Sequence, residues 1–152
     1  MDYPNIYTAP VIEQLVTRVN TLSPDSKPQW GKMSAGQMAA HCNVSYEMVY
    51  DNIHPKPNGI MRLILKLLVK DKVCGMEPYK RSSPTAPQFK IVGDRDFNAE
   101  KDRLINYLRK TPQLGEKTFE QKESHSFGKL NANEWNSMFY KHLDHHLTQF
   151  GV

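Results

Sequence analysis

What this sequence has little of narrows it first. Its 152 residues include only two cysteines, Cys42 and Cys74, too few for a disulfide framework, so the expected setting is a reducing one, the cytoplasm. The most apolar run, residues 60–69, is interrupted by Arg62 and Lys66 and is too short to cross a bilayer, which takes about 20 residues. The opening MDYPNIYTAP has no basic segment leading into an apolar one, so no secretory signal is expected. Low-complexity segments and internal repeats are missing as well. Lys and Arg outnumber Asp and Glu by 20 to 16, but no compact basic block with interleaved aromatics occurs. The basic excess therefore reads as a solvated surface, with no nucleic-acid partner and no membrane partner.

What remains is the material of a soluble domain. The chain is 39% hydrophobic and 24% charged, apolar enough to build a core and too apolar for general disorder. Its length fits one domain over residues 1–152. Periodicity predicts a first helix over 10–21, with Val11, Ile12, Leu15, Val16 and Val19 at helical spacing and Pro10 in its first turn. A loop over 23–28 follows. A second helix starts at Ser34, which with Gln37 forms a capping box, and continues to about Asp51. Its inward stripe is Met38, His41, Ser45, Met48 and Val49. Residues 59–70 form an amphipathic segment with Arg62, Lys66 and Lys70 at i, i+4 spacing. It is expected to be a packed helix with a solvated basic stripe; a membrane-surface or lid helix is the alternative. Residues 71–96 read as an irregular connection, with an extended piece at 89–92. Another helix is predicted over 98–110, stopping near Pro112, then a loop carrying Gly115 and Gly128. The fold class is all-α, and the long link between the helices at 34–51 and 98–110 lets these two run parallel.

The last predicted helix, 131–150, carries the chemistry. Asn131 and Glu134 form a second capping box, and Leu130 and Trp135 are placed as a hydrophobic staple. Trp135, Phe139, Leu143, Leu147 and Phe150, extended by Met138, mark its inward stripe. His142 and His146 are four apart and point into that stripe, while His145 falls at its edge. Two imidazoles one turn apart can chelate a metal ion; His142 and His145, three apart, are geometrically feasible too. His41 offers a third imidazole from the second helix. The plain alternative is surface histidines on a terminal helix and a hydrogen-bonded core histidine at 41. Two unpaired buried imidazoles would be costly, which favours the metal reading.

Three neutral imidazoles leave an open coordination position, the mark of a catalytic site, and suit Zn²⁺ or Ni²⁺. Such an ion lowers the pKa of a water or thiol and so supports hydrolysis or thiol transfer. No general base stands out. His145, Asp144 and Glu47 are candidates, with Asp144 and Glu47 on outward faces, and Tyr46, Tyr50 and Tyr140 outward or flanking. Ser45, one turn beyond His41, lines the pocket, supports a histidine or simply lets helices approach. Cys42 reads as an inert buried thiol. A non-catalytic bundle binding a small ligand or partner, with a structural metal or none, is the competing reading.

The stretches WGKMSAGQMAAHC (30–42), FGKLNANEW (127–135) and YKHLDHHLTQFG (140–151) together resemble the DinB-like superfamily, closest to a branch without an assigned function. The resemblance spans nearly the whole chain. It implies a four-helix bundle with a long crossover between the second and third bundle helices. It also implies a divalent metal held by one histidine of the second helix and an H-x-x-x-H pair of the last, which here are His41, His142 and His146. Characterised members include thiol-dependent S-transferases and a thiol-dependent isomerase, so a small-molecule substrate and a low-molecular-weight thiol are the implied partners, and a homodimer the implied assembly.

Overall fold

Both histidine-bearing helices begin where the capping residues place them. In the computed structural model, which describes residues 3–152, helix α2 spans Ala35–Tyr46 and helix α6 spans Ala132–Gln149. Ser34 Oγ accepts from the Gln37 amide while the Gln37 side chain accepts from the Ser34 amide, and Asn131 and Glu134 make the same reciprocal pair. Each box satisfies two of the donors that a helix start leaves free. It thereby fixes the register of the histidines that follow.

Helices α1 (Ala9–Asn20) and α5 (Phe97–Leu114) complete a four-helix bundle. Side-chain contacts give its directions. Ile6 N and Arg18 meet Asn136 and Asp144, so α1 and α6 run parallel. Asn43 meets Glu100 and Tyr50 meets Thr111, so α2 and α5 also run parallel, as the long link between them allows. His41 faces His142 and Tyr46 stacks on Phe139 at 4.7 Å, so α2 opposes α6. The core runs between them through Ile12, Leu15, Met38, Leu104, Leu108, Trp135, Phe139 and Leu143, all at most 2% exposed.

The crossover holds α3 (Gly59–Leu68), α4 (Lys70–Cys74) and an irregular stretch with a 3₁₀ turn at Pro87–Phe89. Phe89 therefore ends a tight turn, where the sequence suggested an extended piece. Two devices tie this crossover to the bundle. The buried Lys141 of α6 donates its ammonium to the carbonyls of Lys72, Gly75 and Glu77 at 2.5–3.0 Å, above the Tyr79 ring. At the other end the Arg95 carbonyl comes so close to Gly36 that a Cβ there would sit 2.4 Å from it, an approach only glycine permits.

Four further expectations need correction. Helix α5 does not stop at Lys110 but passes through Pro112 to Leu114. A proline in the last turn forfeits one backbone bond, and the stop comes from Gly115 at φ +74°. The loop after α5 contains a hairpin, β1 (Lys122–Ser124) paired antiparallel with β2 (Gly128–Leu130), whose turn is held by Ser124 Oγ. Tyr46 and Glu47, read as outward, are buried, because α2 is surrounded on all sides; Tyr46 stacks on Phe139 and Tyr107. Glu47 opens a π-helical turn, Glu47–Asp51, and pairs with Arg103 and His54. Helix α3, read as a packed helix, has no buried residue. Among the described residues no helix is long and apolar enough to cross a membrane.

Two substitutions separate these roles. Asn131→Ala removes a cap and is expected to cost about 1 kcal/mol, lowering the melting temperature by about 2–4 °C for a chain of this size. Lys141→Met is expected to release the crossover, making residues 75–95 the first site of limited proteolysis while the bundle helices stay protected.

Candidate metal centre

The fold brings His41 from α2 against His142 and His146 from α6. One nitrogen of each lies within 4.8 Å of the others, with ring centroids 4.5–5.0 Å apart. His41 and His146 are buried, and His142 keeps some exposure. Helix α2 reaches the cluster at its middle and α6 toward its finish.

Each imidazole has its δ nitrogen engaged, and two of the three partners dictate the proton position. His41 Nδ1 lies 2.8 Å from the Phe89 carbonyl, which can only accept, so Nδ1 carries the proton and Nε2 a lone pair. Gln149 donates its Nε2 to the Trp30 carbonyl at 2.6 Å. Its Oε1 is thereby turned to accept from His146 Nδ1 at 2.8 Å, which leaves His146 Nε2 as a lone pair too. His142 Nδ1 faces Ser45 Oγ at 3.0 Å, and a hydroxyl can donate or accept. His41 Nε2 and His142 Nε2 are 3.0 Å apart. With no cation, His142 must put its proton on Nε2 and take one from Ser45 at Nδ1. With a cation, Ser45 accepts instead and all three Nε2 atoms present lone pairs.

This donor set fits a divalent metal. Histidines that hold a metal direct their other ring nitrogen to a carbonyl, carboxylate or hydroxyl, as all three do here. Ligand nitrogens on a tetrahedral zinc stand about 3.3 Å apart, close to the 3.0 Å between His41 and His142. Burial is the leading cause that lowers all three pKa values, and neighbouring imidazoles add to it. His146 is pushed down to about 3, His142 well below its ordinary value, and His41 lowered despite the Phe89 bond. The rings are therefore neutral and ready to ligate at neutral pH.

The surroundings sort the other sequence candidates. His145 stays out of the cluster and lines its rim with Trp30 and Tyr79, at 5.8 and 5.7 Å between ring centroids. Arg81 lies over Trp30 at 4.3 Å. Phe89 closes the wall beside His41 and His142. Cys42 is buried and contacts Met38 Sδ at 3.7 Å; burial raises its thiol pKa, and it is inert. Asp144 is held by Arg18, Glu47 by Arg103 and His54, and Tyr50 by Thr111, while Tyr140 packs against Tyr3. Sequence reasoning overlooked Gln149, the Phe89 carbonyl and Tyr79. Gln149 follows His146 by three residues on the same helix face, a usable signal. A carbonyl delivered by a distant loop leaves none.

The depressed pKa values predict a pH response of the metal-free chain. The unfolded imidazoles protonate near pH 6.5, whereas the folded ones resist protonation. Stability is therefore fully present above about pH 6.5 and is lost progressively as the pH falls toward about 3, the His146 value. Urea denaturation of the apo chain at a series of pH values checks this, and His146→Phe is expected to flatten the slope.

No curated protein and no solved structure matches the chain at a significant level. Residues 7–151 do match a family, described as a protein of unknown function, which takes in α1 and all of α2, the crossover, α5 and α6. The chain that carries this three-histidine cluster belongs to that family, DUF1569.

Proposed function

We propose that the chain is a metal-dependent enzyme that acts on a small molecule, with His41, His142 and His146 as ligands of one divalent ion, Zn²⁺ or Ni²⁺. The carrying observation is that the three clustered imidazoles, two buried and His142 half-buried, are neutral and oriented through their δ nitrogens by three separate oxygens. An ion held by three imidazoles would supply Lewis acidity at an open position and lower the pKa of a water or thiol there.

The chain's own residues suggest which. No carboxylate figures among the causes that shift the three histidines, and Asp144 and Glu47 are engaged elsewhere. Burying the ion's charge without a protein anion is costly, so the substrate has to bring the negative charge. A thiolate from a low-molecular-weight thiol or a deprotonated water meets that need. Arg81 at the rim attracts such an anion, and Tyr79, Phe89 and Trp30 restrict water. The reaction class is thiol transfer to an electrophile or hydrolysis, in line with the DinB-like resemblance of segments 30–42 and 140–151. Cys42 and Cys74, both free and buried, fit a reducing cytoplasmic setting.

A second reading, a ligand-binding bundle with a structural metal, draws on the lack of a free carboxylate to act as a base. Both readings expect metal. Elemental analysis of untagged protein is expected to find about one equivalent in the wild type and in His145→Ala, and none in His41→Ala, His142→Ala or His146→Ala. Equal loss in all four variants, or in none, would sink the assignment. Turnover of electrophile and thiol panels by the loaded wild type separates enzyme from structural module.

The orienting residues give a finer test. Ser45→Ala and Gln149→Leu are each expected to weaken metal affinity by about 10–100-fold, measured by competition with a chromophoric chelator, with Ser45→Thr close to wild type. Saturation at about 100 times Kd is expected to add about 2.7 kcal/mol of stability, and chelation to remove it.

A further inference from the structure

Helix α3 turns the expected pattern inside out. Ile60, Leu63, Leu67 and Leu68 are 77%, 58%, 69% and 68% exposed, and Met61 and Ile64 are exposed beside them. At 100° per residue these six cover an arc of about 160°. The half-buried Leu65 and Val69 hold the opposite edge against the core. The apolar face of the helix therefore looks away from the bundle. Six large apolar side chains exposed on one helix face mark an interaction surface.

The charges around this face point to its occupant. Residues 52–70 contain Lys56, Arg62, Lys66 and Lys70 and no Asp or Glu. Arg62 and Lys70 pair with Glu123 of the hairpin and Glu134 of α6, which braces the helix by its polar edge. Lys56 and Lys66 are exposed and form no ion pair among the described residues. We propose that α3 docks in the plane of a lipid surface that carries anionic headgroups. Its leucines and isoleucines would enter the acyl boundary, with Lys56 and Lys66 at headgroup level. At ten residues the helix is about 15 Å long, suited to lying in an interface and too short to span one. A second copy of the chain fits less well. In a two-fold contact the same patch meets itself, and this segment would set lysine against lysine without a carboxylate to relieve them.

The proposal is independent of the metal centre, and so is its test. The whole chain is floated with vesicles of phosphatidylcholine alone or mixed with phosphatidylglycerol, at low and high salt. Binding is expected on the anionic vesicles, about tenfold or more above the neutral ones, and to fall at high salt. Leu63→Ser combined with Leu67→Ser is expected to abolish it with no loss of thermal stability, since both residues are exposed. Lys66→Glu is expected to weaken it several-fold, an order-of-magnitude expectation from surface attraction. No binding to anionic vesicles overturns the proposal, as does binding that the double substitution leaves unchanged. A dimer in solution that the double substitution splits, with no vesicle binding, assigns the face to a second copy instead.

Discussion

Three imidazoles can be packed side by side, two of them buried, only if each δ nitrogen finds a partner, and much of the polar end of the bundle serves that constraint. The partners come from three places: the Phe89 carbonyl in the crossover, Ser45 on α2 and Gln149 on α6. Gln149 is itself oriented by the carbonyl of Trp30, in the segment that leads into α2. Two of these partners leave no choice of tautomer. The third, a hydroxyl, can reverse its role when the histidines exchange a proton for a cation. Had Ser45 been a second carbonyl, His142 could not donate to His41 in the metal-free chain, and two lone pairs would face each other at 3.0 Å. The metal-free state is thus made tolerable by the same side chain that would support a loaded one.

The crossover is part of this arrangement. It supplies Phe89 to His41 and sets Tyr79 against His142 and His145. Its path is fixed by Lys141, the residue beside His142, whose ammonium gathers three carbonyls from the end of α4 and just beyond. A buried lysine is costly unless all its donors are used, and here three carbonyls use them. Successive residues on α6 therefore do two jobs: position 141 faces the crossover and position 142 faces the cluster. Opening the crossover would remove the acceptor of His41 and strip the wall from His142 together, so access to the site and orientation of its histidines are mechanically coupled.

The parts legible in the sequence were those that depend on local chemistry. Two capping boxes announced α2 and α6, and helical phase placed His41, His142 and His146 inward while leaving His145 at the rim. Long-range geometry was not legible. Phase around α2 could not reveal that Tyr46 and Glu47 would be covered, because burial on the far side depends on α5 and the crossover, not on α2's own pattern. Pro112 suggested a stop that α5 ignores, since one lost bond in a last turn is a small cost. The hairpin at 122–130 has strands of three residues, too short for an alternation to register. The Phe89 carbonyl has no sequence signature at all.

Helix α3 shows the same limit from the other side. Its period defined one apolar and one basic stripe correctly, yet periodicity reports only that two faces differ, never which one meets the protein. The structure answers through ion pairs: Glu123 and Glu134 hold the polar edge inward, and the apolar face is left out. This places the two unusual features at separate ends. Glu134, which anchors the start of α4 just beyond α3, precedes His142 and His146 by 8 and 12 residues, about 12–18 Å along the axis of α6. A surface that covered α3 would therefore leave the rim of the histidine cluster clear for a small substrate. The crossover, which carries α3 at one end and Phe89 toward the other, is the covalent path by which contact at the apolar face could influence the wall of the site.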